Sequence, residues 1–260
     1  MQQAGRAGQF ALSLDRPGEA AQQFRAALQR AELRDDLPAI ADYGYNLAVA
    51  ELTDNRPEVA LTTVRQISAE LARRNSASIP GLALLEATAL YRIGSRAEAD
   101  KLAASLELSN DRDVASQACF LRGLIADDRN DLAGVEAALR CVSQAASSAD
   151  DANAFELSAR IALRREDAAT AETAADRAAD LRRKLHDYRG MARALALAGA
   201  AALQTGSAAS AASFYLRAGR SAAARGDLAN ARRWLQTALS LSHDVELRAE
   251  AQRALSDIDK

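Results

Sequence analysis

Aromatic side chains are scarce: phenylalanine, tryptophan and tyrosine make up 4% of the 260 residues. A core of bulky rings is excluded, so the many alanines must close it by letting backbones approach each other. There are two histidines, two cysteines and four prolines. The first two scarcities leave little for proton transfer or metal binding, and the third leaves long helices uninterrupted. Net charge is −2 and the pI near 5.8, which gives no electrostatic footprint for nucleic acid or an anionic membrane. No apolar run approaches the roughly 20 residues of a membrane span. The opening Met1–Arg6 shows no charged-then-apolar export signal. Because helical patterning starts almost at once, as it would after removal of a leader, cytoplasmic, periplasmic and lipid-anchored placements all stay open.

What the chain does have is 49% hydrophobic and 26% charged residues, a balance that excludes wholesale disorder. The stretch Gly226-Asp227-Leu228-Ala229-Asn230-Ala231 shows how the residues are used. Glycine can end one helix in the left-handed conformation, aspartate can cap the next, and Ala231, Leu235, Ala238 and Leu239 then recur on one helical face. Equivalent breaks fall at Asp15–Gly18, Asp54–Pro57, Gly94–Ser95, Asn130–Asp131, Glu166–Asp167 and Gly206–Ser207. Weaker breaks lie between them near Asp35–Pro38, Ser76–Pro80, Asn110–Asp113, Ser147–Asp151 and His186–Tyr188. Two helices per period of about 36 to 40 residues is the mark of a helical repeat array, and a continuous coiled coil would carry no such breaks.

Small residues recur within this period. One set is Gly8, Ala48, Ala87, Gly123, Ala159, Gly199 and Gly219, and a second is Ala20, Ala60, Ala99, Val135, Ala171, Ala211 and Ala231. A third holds Ala27, Ala178, Ala218 and Ala238, with the larger Ile67, Leu106 and Val142 in the middle repeats. Pro17 and Pro57 occupy one repeat position, the first residue of a second helix, where a missing amide hydrogen costs nothing. With Tyr45-Asn46-Leu47-Ala48 and Leu90-Tyr91-Arg92-Ile93-Gly94, these features make the chain resemble the tetratricopeptide repeat (TPR) family. That family's helix-turn-helix unit keeps small residues at positions eight, twenty and twenty-seven. The resemblance covers nearly the whole chain and implies an all-α fold, a right-handed α-solenoid superhelix of TPR-like hairpins with about 13 to 14 antiparallel helices. A single array would span 1–260, with repeats near 1–36, 37–76, 77–110, 111–148, 149–186, 187–225 and 226–243 and a capping helix over 244–260.

The family's aromatic at position four is mostly replaced, by Ala4, Gly44, Ala83, Cys119 and Leu195, with Phe155 and Tyr215 the exceptions. Its proline near position thirty-two is absent, so second helices are expected to run long. The breaks place helices over 2–14, 17–34, 38–53, 57–74, 80–93, 96–108, 112–128, 132–146, 151–164, 168–185, 188–204, 207–225, 228–241 and 244–258, with no strand. Gly206 and Gly226 are close enough that Ser207–Arg225 can serve two repeats at once.

Groups for catalysis are few. His186 and His243 sit at helix ends, where a solvated or dipole-facing imidazole is the plain reading, and neither a metal-ligand spacing nor a phosphate-cradling loop occurs. No enzyme, metal site or cofactor is expected. Asp127-Asp128 and Asp150-Asp151 read as capping or solvated pairs, and Arg182-Arg183-Lys184 and Arg232-Arg233 as solvated helix faces. Arg225-Gly226-Asp227 spells an adhesion tripeptide, yet Gly-Asp is what the repeat turn itself requires. Cys119 and Cys141 are read either as buried thiols or as a disulfide within one hairpin, the latter implying an oxidising compartment.

The TPR resemblance implies that first helices line a concave groove that binds a partner peptide or helix. Its expected positions include Gln9, Tyr45, Asn46, Val49, Leu84, Thr88, Tyr91, Phe120, Leu124, Glu156 and Arg160, joined by Leu52, Arg193 and Leu203. The leucines are equally readable as core. Lys101, Lys184 and Lys260, the only lysines, fall outside the first helices, which argues against the family's carboxylate clamp. The expectation is a non-enzymatic protein-interaction scaffold with a protein or peptide partner, as an assembly factor or lipoprotein. The alternative is a peptide-sensing regulator acting with a separate effector. Phe10, Leu12 and Leu14 mark an end where self-association into a homodimer is open.

Overall fold

The computed structural model describes residues 2–143 and 148–259. Among them are fourteen helices and no strand. They are α1 Gln2–Ser13, α2 Pro17–Glu32, α3 Leu37–Thr53, α4 Pro57–Arg73, α5 Pro80–Arg92, α6 Arg96–Leu106, α7 Arg112–Asp128, α8 Leu132–Val142, α9 Ser148–Arg164, α10 Ala168–Lys184, α11 Tyr188–Gln204, α12 Ala208–Ala223, α13 Leu228–Leu241 and α14 Val245–Ile258. The expected all-α hairpin architecture is therefore present. Two local expectations are corrected. Helix α8 ends at Val142 rather than 146, and α9 starts at Ser148 rather than 151, so that Asp150 and Asp151 fall within the helix. Ser147, the first residue of the predicted break there, and Lys260 lie outside the described residues. Second helices α2, α4, α10 and α12 run 16 or 17 residues, but α6 and α8 only 11.

Ten of the turns share one construction. A left-handed residue follows the helix: Asp15, Asp35, Asn55, Asn75, Asn130, Glu166 and His186, or Gly94, Gly206 and Gly226. The next amide then reaches back to a carbonyl five residues earlier, as in Asp36 N–H to Ala31 at 3.1 Å, Asp187 to Arg182 at 2.9 Å and Asp227 to Ala222 at 3.0 Å. Except after Asn75, that same residue is the cap of the following helix. The carboxylates of Asp36, Asp131, Asp167, Asp187 and Asp227 accept the amides of Ala39, Gly134, Thr170, Gly190 and Asn230. All four prolines lie in the first two helical positions of α2 to α5. Two adjacent residues thus stop one helix and begin the next, which is why the breaks are so readable.

The chain forms two compact units, Met1–Leu121 and Arg122–Lys260, divided within α7. In the first, consecutive helices from α1 to α6 pack pairwise and α3 also touches α5. Its core holds Phe24, Ile40, Leu47, Val64, Ile67, Leu71 and Leu82. In the second, α8 to α14 pack consecutively, with α9 on α11 and α12 on α14. Its core is richer in alanine, with Ala178, Ala192, Ala194, Ala218 and Ala222 around Leu195 and Trp234.

Small residues stand where helices cross. A methyl on Gly8 would sit 2.8 Å from the Phe24 ring, and one on Gly219 would sit 2.6 Å from Leu235. The departures at position four have a packing explanation. In the second to fourth repeats a small position four goes with a large position twenty-seven, although the first repeat, with Ala4 and Ala27, is small at both: Gly44 receives Ile67, whose Cγ1 lies 2.4 Å from where a Cβ would be. Where position four is Phe155, Leu195 or Tyr215, its partner is Ala178, Ala218 or Ala238 in the same core cluster. The volume is conserved while its source moves between helices.

A second device sets the register of first helices. At the end of α5, Arg92 donates to the Leu52 carbonyl and, at 2.7 Å, to Asn55, the left-handed residue ending α3. At the end of α9, Arg164 donates to the Asp127 carbonyl at 2.6 Å and to Asn130, and Gln204 of α11 reaches the Leu163 carbonyl at 3.4 Å. Each clasp ties one helix end to the next and adds a second donor to a carbonyl that already accepts the amide of the left-handed residue three positions on.

Candidate partner-binding faces

In the first unit the candidate face belongs to α3 and α5. Tyr45, Asn46 and Val49 on α3 and Thr88 and Tyr91 on α5 are half-buried, Leu52 and Leu84 are buried, and Gln9 on α1 is exposed. Asn46 is held by its own helix, donating to the Asp42 carbonyl at 2.8 Å. Tyr45 lies against the start of α5, with its ring edge 3.0 Å from the place of a Gly81 Cβ. Burial, and then the charge of Asp111, push its hydroxyl above the usual tyrosine range. It is thus a neutral, semi-apolar surface element.

Phe120 and Leu124, on α7, are both buried. Leu203 near the end of α11 is exposed. Phe10 is 65% exposed and Leu14 also faces solvent, whereas Leu12 packs on the core. Lys101 and Lys184 lie on the second helices α6 and α10.

In the second unit the structure brings Glu156, Arg160 and Arg193 into one cluster. The Glu156 carboxylate is fully buried. It accepts from Arg160 at 3.0 Å within α9, from Arg193 of α11 at 3.0 and 3.3 Å, and from Arg182 of α10 at 2.6 Å. Arg182, itself buried, also donates to Asn153 at 2.9 Å and to Asp187 at 2.5 Å. Arg160 pairs with Asp127, whose other oxygen receives Arg164 at 3.0 and 2.8 Å. Four guanidiniums and three carboxylates therefore interlock.

Burial alone would raise the Glu156 pKa, but Arg193, Arg182 and Arg160 more than offset it and hold the carboxyl well below its ordinary range. Asp187 is lowered in the same way: burial opposes ionisation, and Arg182 and Arg193 overcome it. Arg160 is raised, because Glu156 and Asp127 outweigh its desolvation. The cluster is locked in its charged form.

Sequence reasoning placed Glu156, Arg160 and Arg193 on one face but missed Asn153, Arg182, Asp187, Asp127 and Arg164. Arg182 is corrected from a solvated face to a buried ion pair, although its neighbours Arg183 and Lys184 are exposed. Asp127 is corrected from a cap or solvated carboxylate to a double arginine acceptor. The available signal was spacing: Arg182 lies five residues before Asp187, the separation the repeat turn closes. The other basic run stays at the surface, with Arg232 pairing Asp259 at 2.6 Å and Arg233 over the Trp234 ring.

The tripeptide at 225–227 is built into its turn. Asp227 caps α13 and pairs with Arg189 at 3.3 Å, while Arg225 stacks 4.7 Å above the Tyr188 ring. His186 holds a left-handed backbone, and its Nδ1 lies 3.2 Å from the Tyr188 hydroxyl. Cys119 and Cys141 are both disulfide-bonded. Among the described residues no three His, Cys, Asp or Glu side chains group to hold a metal ion, and no helix is long and apolar enough to cross a membrane.

No protein-family model matches the chain, and no curated protein does. Solved structures do. A tetratricopeptide repeat protein from Parabacteroides merdae superposes with a TM-score of 0.53 at 13% identity, covering 100% of this chain and 98% of that one. The TPR2AB domain of yeast Sti1, in its pHSP90 complex, gives a TM-score of 0.40 at 16% identity over 100% of this chain and 98% of that one. Sequence identity this low speaks for fold alone. With small residues at its helix crossings and a turn chemistry repeated from hairpin to hairpin, the chain has the helical-hairpin fold of tetratricopeptide repeat proteins.

Proposed function

We propose that the chain is a non-enzymatic protein-interaction scaffold that binds a partner peptide or helix along its first helices. The observation that carries this reading is the half-buried stripe of Tyr45, Asn46 and Val49 beside Thr88 and Tyr91. It offers apolar and aromatic area on a rigid helix pair, with clasps such as Arg92 fixing the register. In the second unit Arg193, oriented by the buried Glu156, supplies charge for selectivity on the equivalent face and keeps part of its side chain exposed. Leu84, Phe120, Leu124 and Arg160 support the faces from within, and the exposed Gln9 is open to contact with the partner. Disulfide-bonded cysteines favour an oxidising compartment.

The test is selection of binding peptides from a displayed random library, followed by affinity measurement on the purified chain. The double variant Tyr45→Ala/Tyr91→Ala is expected to weaken the selected peptide by about tenfold or more with unchanged helicity, as loss of two aromatic anchors should. Equal affinity in the variant would remove these helices from the binding surface.

A further inference from the structure

A cavity of about 900 Å³ lies on the other side of the first unit, between second helices α2 and α4 with α3 beneath them. Its floor is apolar: Leu28 of α2, Ile40 and Leu47 of α3 and Ile67 of α4, all buried. On α4 the lining runs from Glu58 to Arg74, about four helical turns or roughly 24 Å. The shape is thus an elongated groove, suited to a linear ligand.

Its charges fall into two groups. Glu51, fully buried on the floor, is held by Arg25 at 2.7 Å and by the Thr63 hydroxyl at 2.8 Å. At one end Arg74 bridges Asp35 and Glu70, and Arg73 also pairs with Glu70. These satisfy one another. Glu32 on α2 and Glu58 on α4 line the groove from its two walls, are exposed, and take part in no ion pair among the described residues. The unbalanced charge at the mouth is therefore negative on both sides.

We propose that this groove is a second binding site, distinct from the first-helix face, and that its occupant is a basic amphipathic helix of a partner protein. An apolar stripe would cover the Leu28, Ile40, Leu47 and Ile67 floor, and lysines or arginines flanking that stripe would meet Glu32 and Glu58. An acidic segment or a nucleic acid meets uncompensated carboxylates on both walls.

The test uses a fluorescein-labelled model helix of about 18 residues, with leucines on one face and lysines on the flanks, titrated with the full chain. Charge reversal by Glu32→Lys and Glu58→Lys together, both at exposed positions, should weaken binding by about tenfold or more while helicity is unchanged. A peptide with glutamate in place of lysine, and one of the same composition with scrambled order, should bind as weakly. The Tyr45→Ala/Tyr91→Ala variant should bind like the wild type, and a photo-crosslinker on the peptide should label Thr62 or Gln66. The site is overturned if the charge-reversed variant or either control peptide binds equally, or if no binding is seen at about 100 µM. It is also overturned if only the tyrosine variant loses affinity, which would assign the helix to α3 and α5 instead.

Discussion

Each unit buries one glutamate completely, and the two are neutralised in different ways. Glu51 has one arginine, Arg25, whose side chain is 41% exposed, and a threonine hydroxyl. Glu156 has three arginines, of which Arg182 is only 6% exposed and is fixed from behind by Asn153 and Asp187. A charge near the surface can return to water when its partner is removed, but a deeply buried one cannot. The core of the first unit mixes alanines with large side chains such as Phe24, Ile40 and Leu71, whereas the mostly alanine core of α10 to α12 brings backbones close enough for α9, α10 and α11 to share one carboxylate. Buried charge is therefore incidental to the first unit and structural in the second.

The largest expected effect breaks that contrast directly. Glu156→Gln removes the buried carboxylate that Arg160, Arg182 and Arg193 share, leaving Arg182 with the carboxylate of Asp187, and should cost about 3 to 5 kcal/mol. Glu51→Gln keeps a hydrogen-bonding group against Thr63 and lets Arg25 swing outward, so about 1 to 3 kcal/mol is expected. Urea unfolding followed by circular dichroism checks both, and fluorescence of Trp234, the single tryptophan, reports the second unit alone. Equal costs, or a Trp234 transition unmoved by Glu156→Gln, would erase the distinction.

Next in size is the exchange of volume between repeat positions. Ile67→Ala should destabilise the first unit by about 2 to 5 kcal/mol. Gly44→Leu alone should also destabilise, by about 1 to 3 kcal/mol, since its side chain would meet Ile67. Together they should recover most of the loss, because the pair then imitates Leu195 with Ala218 in the second unit. Additive costs in the double variant would show that the swap is coincidence.

Acid gives a third comparison. Glu156 and Asp187 both titrate below their unfolded values, so the folded chain binds fewer protons than the unfolded one. Their stabilisation is complete above about pH 4.5 and is lost as pH falls through the lowered folded values. Trp234-reported stability should therefore drop steeply below about pH 4.5 in the wild type and less steeply in Glu156→Gln and Asp187→Asn. Identical acid limbs in the three proteins would show that the cluster contributes no pH dependence.

The fold was legible in sequence because stop and start signals are adjacent in the chain. Asn130-Asp131, Glu166-Asp167 and Gly226-Asp227 each carry a left-handed residue and a capping aspartate side by side, so helix ends could be placed within a few residues. The end of α8 was missed because Ser143–Ser147 offers no such pair. The face holding Glu156, Arg160 and Arg193 was readable from helical spacing. Arg182 was not, because it sits among solvated basic residues and is buried by packing from α9 and α11, which one helix's periodicity does not record.

The smallest effects test the turns themselves. Glu166 and His186 hold left-handed backbones at φ 61° and 58°, where a side chain costs about 1 kcal/mol and glycine costs none. Each change to glycine should therefore raise stability by up to about 1 kcal/mol, less the entropy glycine adds to the unfolded chain. Gly94 and Gly206, at φ 92° and 77° with open space around them, should lose about that amount on change to alanine, purely from backbone strain. If His186→Gly destabilises instead, the imidazole contact with the Tyr188 hydroxyl outweighs the strain, and that turn is held by its side chains. If all four shifts have the expected sign, one backbone rule governs the turns of both units, however differently their cores are filled.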